Sequence, residues 1–159
     1  MAIRFRTLVV VFGLALFSLQ VKAQTVSLCF TDSPMLADIT LGFTSSTVLA
    51  DLSIWVGRAG YTDLDVCFVK RPIASSIDVS LVGSPLLADA SICLTSSTIL
   101  SDKTLSITSS IGLADICLGL WTSPTAFTKD IYIKGVDPDK LSIEQKIAIV
   151  YCLGLLKKD

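Results

Sequence analysis

A hexapeptide that keeps returning governs what this chain can become. Ser33-Pro34-Met35-Leu36-Ala37-Asp38 recurs in near copies as Ser46 to Asp51, Ser84 to Asp89, Ser97 to Asp102 and Ser110 to Asp115. Aligned on aspartates, the chain runs Asp38, Asp51, Asp65, Asp78, Asp89, Asp102, Asp115 and Asp130, in steps of 13, 14, 13, 11, 13, 13 and 15 residues. After each aspartate the pattern changes to alternation, as in Ile39, Leu41 and Phe43, or Leu52, Ile54 and Val56. Period-two apolar spacing over five or six residues is the mark of a half-buried strand. Before the aspartate, Ser33-Pro34 and Ser84-Pro85 fit the cap and first position of one tight helical or 3₁₀ turn. The Leu three residues after that Ser is then expected to point inward.

The unit is therefore one strand and one corner. With no Asn, no Asp-Gly and no Gly-Gly, the strongest two-residue hairpin turns are missing. The expected fold is mainly β: a short-period parallel β-solenoid-like repeat with one-turn helical corners, spanning residues 24–136. An antiparallel meander or sandwich is the alternative, because parallel strands usually need longer crossovers. Stacking of successive units predicts a column of carboxylates spaced by about 4.8 Å. Cys29, Cys67, Cys93 and Cys117 share the small-residue face, two or three rungs apart, and are expected to be free thiols.

Residues 139–157 break the repeat. Ser142-Ile143-Glu144-Gln145 reads as a capping box, and Ile147 to Leu156 is almost wholly apolar, with Lys157 and Lys158 suited to a helix C-terminus. Such a helix must be covered. A cap over the open end of the repeat is expected, with a homodimer through the helix as the competing arrangement. A run of this length is too short for a membrane span.

Residues 1–23 carry Arg4 and Arg6, an apolar stretch from Leu8 to Leu19, and Val21-Lys22-Ala23 as a cleavage site. That pattern predicts a signal peptide, a mature chain from Gln24, and a secreted or periplasmic location. Of 13 basic and 14 acidic residues, the leader removes Arg4, Arg6 and Lys22, leaving a net charge of about −4. Scattered cations and an acidic balance argue against nucleic acid.

The inventory narrows the chemistry further. Without histidine there is no imidazole base, no Ser-His or Cys-His pair and no imidazole metal site. No catalytic constellation is visible, and no cofactor is expected. Asp38, Asp51, Asp89, Asp102 and Asp115 are the calcium candidates, since crowded carboxylates attract a hard cation. The competing reading is that each accepts backbone N–H bonds where a strand begins. Gly57-Arg58-Ala59-Gly60-Tyr61-Thr62-Asp63 and Lys70-Arg71-Pro72 depart from the repeat on rungs expected to be adjacent. Arg58, Tyr61, Lys70 and Arg71 are therefore the partner-binding candidates.

The Ala-Asp pairs at 37/38, 50/51, 88/89 and 114/115, with their spacing across residues 26–134, resemble an uncharacterised bacterial family of short, about 13-residue, Ala-Asp repeat domains. In that family the connection carries Tyr-Lys-Ser-Gln-Ala-Asp, whereas this chain has Ser-x-x-Leu-Ala-Asp. The resemblance implies no activity. An exported structural and interaction repeat protein, binding another macromolecule or an envelope component, is the expected function. The alternatives are a calcium-stabilised exported domain and a small hydrolase-like enzyme with its site near residues 57–72.

Overall fold

The computed structural model describes residues 25–57 and 62–156. The expected signal peptide, Arg58, Tyr61 and Lys157 lie outside the described residues. Nine strands follow in chain order: β1 (Val26–Phe30), β2 (Ile39–Thr44), β3 (Leu52–Gly57), β4 (Leu64–Val69), β5 (Ile77–Leu81), β6 (Ala90–Thr95), β7 (Lys103–Thr108), β8 (Ile116–Trp121) and β9 (Lys129–Lys134). All pair in parallel, and the sheet closes on itself in the order β1-β5-β9-β4-β8-β3-β7-β2-β6. The parallel, solenoid-like β reading holds, and the meander does not.

Neighbouring strands are nevertheless not successive units. β1 pairs with β5 and β6, β2 with β6 and β7, and so on, so partners lie 53–54 or 62–63 residues apart. Each unit steps over one strand position, so the chain circles twice and its second circuit fills the gaps left by the first. Every neighbour is also slipped by two residues along the strand. Phe30, Ile92 and Ile39 lie on one hydrogen-bonding row, as do Phe43, Leu105 and Leu52. A slip of ~6.6 Å against ~4.8 Å between strands tilts them by about 55°, steeper than the roughly 35–45° usual in barrels. Each strand thus starts on the hydrogen-bonding row where its predecessor ended, two strand positions across, and a short corner suffices. The expected need for a long crossover disappears.

Numbered from the residue before each strand, the third position points into the barrel. It is occupied by Leu28, Leu41, Ile54, Val66, Val79, Ile92, Leu105, Leu118 and Ile131, none more than 1% exposed. The same frame corrects the aspartate alignment. The strand-start residues are 38, 51, 63, 76, 89, 102, 115 and 128, giving steps of 13 with a single 12. Asp63 holds the repeat position rather than Asp65, while Ser76 and Thr128 stand in for aspartate, and Asp78 and Asp130 sit inside their strands.

Even-numbered positions face outward, where each corner crosses the intervening strand. Ser91 Oγ of β6 lies 3.0 Å from the Leu36 carbonyl of the corner above it. At Gly42 of β2 a Cβ would meet Ser101 Oγ at 2.7 Å and the Ser97 carbonyl oxygen at 3.2 Å. The Ser, Thr, Cys and Gly of this face are small because a second layer of chain lies on them. Cys29, Cys67 and Cys93 are buried there, and all five described cysteines are free. Their separation differs from expectation: β1 and β6 are neighbours with Cys29 opposite Ser91, so Cys93 is one diagonal away.

Helix α1 (Ile143–Cys152) begins with the expected capping box, Gln145 N–H donating to Ser142 Oγ at 3.1 Å and Ser142 N–H to Gln145 Oε1 at 3.0 Å. It stops earlier than expected. Gly154 takes φ +68°, Leu155 N–H reaches the Val150 carbonyl and Gly154 N–H the Tyr151 carbonyl, a Schellman closure that needs glycine. Ile147, Ala148, Ile149 and Val150 are each 0% exposed and belong to the same core as the strands. Successive helical residues are turned by about 100°, so four in a row sealed means cover on all sides. A barrel of about 12 Å backbone radius leaves room for one helix and one layer of side chains. The helix is therefore a lumen filler rather than an end cap, and this stretch offers no face to a second copy.

Two changes test this packing. Ile149→Ala should lower the unfolding free energy by about 2–5 kcal/mol in urea titration, as for other fully buried aliphatics. Gly42→Val should cost about 1–3 kcal/mol by forcing the 96–102 corner off β2, whereas Gly112→Ala, where an added Cβ has nothing within 4 Å, should leave the urea midpoint almost unchanged.

Candidate functional site

The repeat aspartates are consumed by the architecture. Asp38 N–H donates to the Ser91 carbonyl at 2.9 Å while its carboxylate accepts the Ser91 N–H at 2.7 Å and the Ser91 hydroxyl at 2.6 Å. Asp89 brackets Ser27, Asp102 brackets Thr40, Asp115 brackets Ser53, Asp51 brackets Thr104 and Asp63 brackets Cys117 in the same two-point way, with carboxylate distances of 2.7–2.9 Å. Each aspartate thereby continues the ladder for one residue beyond its own strand. The Ser91 bonds hold the Asp38 carboxyl below its ordinary range. The two-residue slip puts equivalent aspartates of adjacent strands about 8 Å apart rather than the ~4.8 Å of the expected column. Among the described residues no three His, Cys, Asp or Glu side chains converge as a metal site.

The hexapeptide Leu does not point inward. Leu36, Leu49, Leu87, Leu100 and Leu113 are 62–72% exposed, and the residues before four of them, Met35, Val48, Leu86 and Ile99, are 91–95% exposed. The reason lies in the crossing: the corner rests its backbone and Asp on the strand below, so its middle residues project outward. Corners follow the strands they cross, and the five hexapeptides cross β1, β6, β2, β7 and β3, which are consecutive around the ring. The slip and tilt bring equivalent corner residues to one height along the axis. The result is a belt of two apolar rows, with about 8 Å between corners, around five of nine stations.

The opposite flank differs. Lys70 and Arg71 sit in the corner over β9, and with Phe68, Ile73, Leu120, Trp121, Thr122, Pro124, Pro138, Asp139 and Lys146 they line a groove of about 570 Å³. Its floor is apolar and its rim cationic. Lys70 bonds Asp139 and lies 3.7 Å from Asp137, and Lys146 Nζ stands 5.9 Å from the Phe68 ring centroid. The hydrogen bond to Asp139, then the charge of Asp137, raises the Lys70 ammonium above its ordinary value, and the same pair lowers Asp139. Neither group is poised to exchange a proton near neutrality. Asp65, set aside by the corrected alignment, accepts Trp121 Nε1–H at 2.8 Å and the Thr62 hydroxyl at 2.6 Å, fixing the indole at the groove edge.

Of the four partner-binding candidates, the groove gathers Lys70 and Arg71, while Arg58 and Tyr61 lie outside the described residues. The two irregular connections are not on adjacent rungs: Asp63 is at β8 and the 70–76 corner at β9, with β4 between them. Sequence reasoning missed Phe68, Trp121 and Lys146, which reach the groove from β4, β8 and α1. It also missed the belt, although the exposed pairs were visible in four of the five hexapeptides. Comparison with family models, curated proteins and solved structures finds no match for the chain.

Two outcomes follow from the bracketing. Asp102→Ala strands the N–H of Thr40, a residue 3% exposed, and should cost about 1–3 kcal/mol in urea unfolding, while added calcium or chelator should leave the melting temperature of the native chain unchanged. Because Asp38 is lowered in the folded state, its contribution is complete above the unfolded carboxyl value and is lost as pH falls through the lower folded value; the acid limb of a stability profile should therefore flatten in Asp38→Asn.

Proposed function

We propose that this chain is an exported structural and interaction protein that binds another macromolecule through its belt and performs no catalysis. The observation that carries the reading is the apolar belt itself. Nine leucine, isoleucine, valine and methionine side chains, each at least 62% exposed, occupy neighbouring corners. Monomeric proteins rarely leave patches beyond a few hundred Å² uncovered, and larger ones mark binding surfaces. The belt also sits on a rigid support, since each of its five corners is tied to the strand beneath it through its aspartate. Ordered display lowers the entropic cost of association.

The competing readings have less to stand on. A calcium-stabilised domain would draw on carboxylates that already accept backbone N–H bonds. A hydrolase would need a base in the groove, where the one lining carboxylate, Asp139, has its proton affinity lowered by Lys70 and is a weak base. Among the described residues no helix is long and apolar enough to cross a membrane.

Affinity capture from envelope and medium tests the reading. A chain carrying Met35→Ser, Val48→Ser, Leu86→Ser and Ile99→Ser should melt within a few degrees of the native chain and lose the proteins that the native chain retains. Retention of the same set by both chains would defeat the reading.

A further inference from the structure

We propose that the belt's partner is a second copy of this chain, joined head to tail, with the belt of one molecule seated on the cationic groove of the next. The proposal rests on the belt being an interaction surface and adds what covers it. Two observations select this occupant.

The first is charge. The belt corners and their flanks carry Asp32, Asp38, Asp51, Asp89, Asp102 and Asp115, and residues 25–57 and 72–102 hold no described lysine or arginine. Against these six carboxylates the belt side has one described cation, Lys103, whereas the groove lining holds Lys70, Arg71 and Lys146 against Asp139, with Asp137 beside Lys70. Belt against belt would bring carboxylates of like sign together, whereas belt against groove brings opposite signs together.

The second is shape and polarity. A corner presents two projecting apolar side chains followed by a carboxylate, as in Met35, Leu36 and Asp38. The groove presents an apolar floor of Phe68, Leu120 and Trp121 under Arg71 and Lys146, neither of which forms an ion pair within 4.0 Å among the described residues. The pattern of one surface is the complement of the other.

Because belt and groove are different surfaces, the contact is heterologous and each bound copy leaves one of each surface open. Assembly then continues rather than stopping at two.

Sedimentation of the chain, purified as exported, across a hundredfold concentration range tests this. The belt variant is Met35→Glu, Val48→Glu, Leu86→Glu and Ile99→Glu, all at residues more than nine-tenths exposed, and the groove variant is Arg71→Glu with Lys146→Glu. Urea midpoints establish that both fold. The native chain should gain mass beyond a dimer, and each variant alone should raise the concentration of half-association by at least about tenfold. An equimolar mixture of the two variants should form dimers and nothing larger, since each retains one competent surface. A native chain that is monomeric throughout, a groove variant that associates like the native chain, or a mixture that grows beyond dimers would overturn the proposal. If the native chain is monomeric while the belt is still required for capture from the envelope, self-association fails and the belt remains a surface for a different macromolecule.

Discussion

The two-residue slip between neighbouring strands is the constraint from which the molecule follows. It tilts the strands until each begins on the hydrogen-bonding row where the last one ended, so six to eight residues can join two parallel strands without a return crossover. It also closes the ring at a radius that one helix fills. Equivalent residues come to lie at a single height, which is why one hexapeptide written five times yields a girdle and not a staircase. The aspartate bracket enforces the slip locally: its N–H and its carboxylate both engage one residue of the strand below, and a sheet displaced by one residue would satisfy neither.

Layering explains the composition of the strands. Odd positions see the lumen and are large and aliphatic, as at Ile54 and Leu118; even positions see the backbone of a crossing corner and are small, as at Ser53 and Gly119. Cysteine fits the second class as a compact apolar residue. Burial raises the Cys67 and Cys93 thiols, and raises Cys152 to about 11, so these sulfurs are held protonated and quiet at neutral pH.

Much of this was legible from the residues alone. The alternation after Asp38, Asp51, Asp89, Asp102 and Asp115 located five of the nine strands, the lack of hairpin turns favoured parallel pairing, and Ser142 with Gln145 marked the start of the helix. What could not be read was which strands meet. A period of 13 is equally consistent with units stacking in succession or interleaving after four and five, and only the bracket distances decide. The same ambiguity misplaced the leucines. Periodicity says that Leu36 is special, but not whether the corner turns it toward the lumen or lays its backbone on a neighbour. Asp65 and Asp78 misled for a related reason, being aspartates near the repeat position with other partners, Trp121 for one and Ser76 for the other. The groove was half legible: its cations stood out in the 70–72 connection, while its aromatic floor is assembled from residues about 50 apart.

Interleaving also imposes a schedule on the nascent polypeptide. No strand of the first four has a neighbour until β5, beginning at Ile77, has emerged, and β4 waits for β8 and β9. Roughly the first half of the chain must therefore leave the ribosome without a single native ladder bond, and the ring, its plug and its outer wrapping then condense together. A protein drawn this way stays threadable until it is nearly complete.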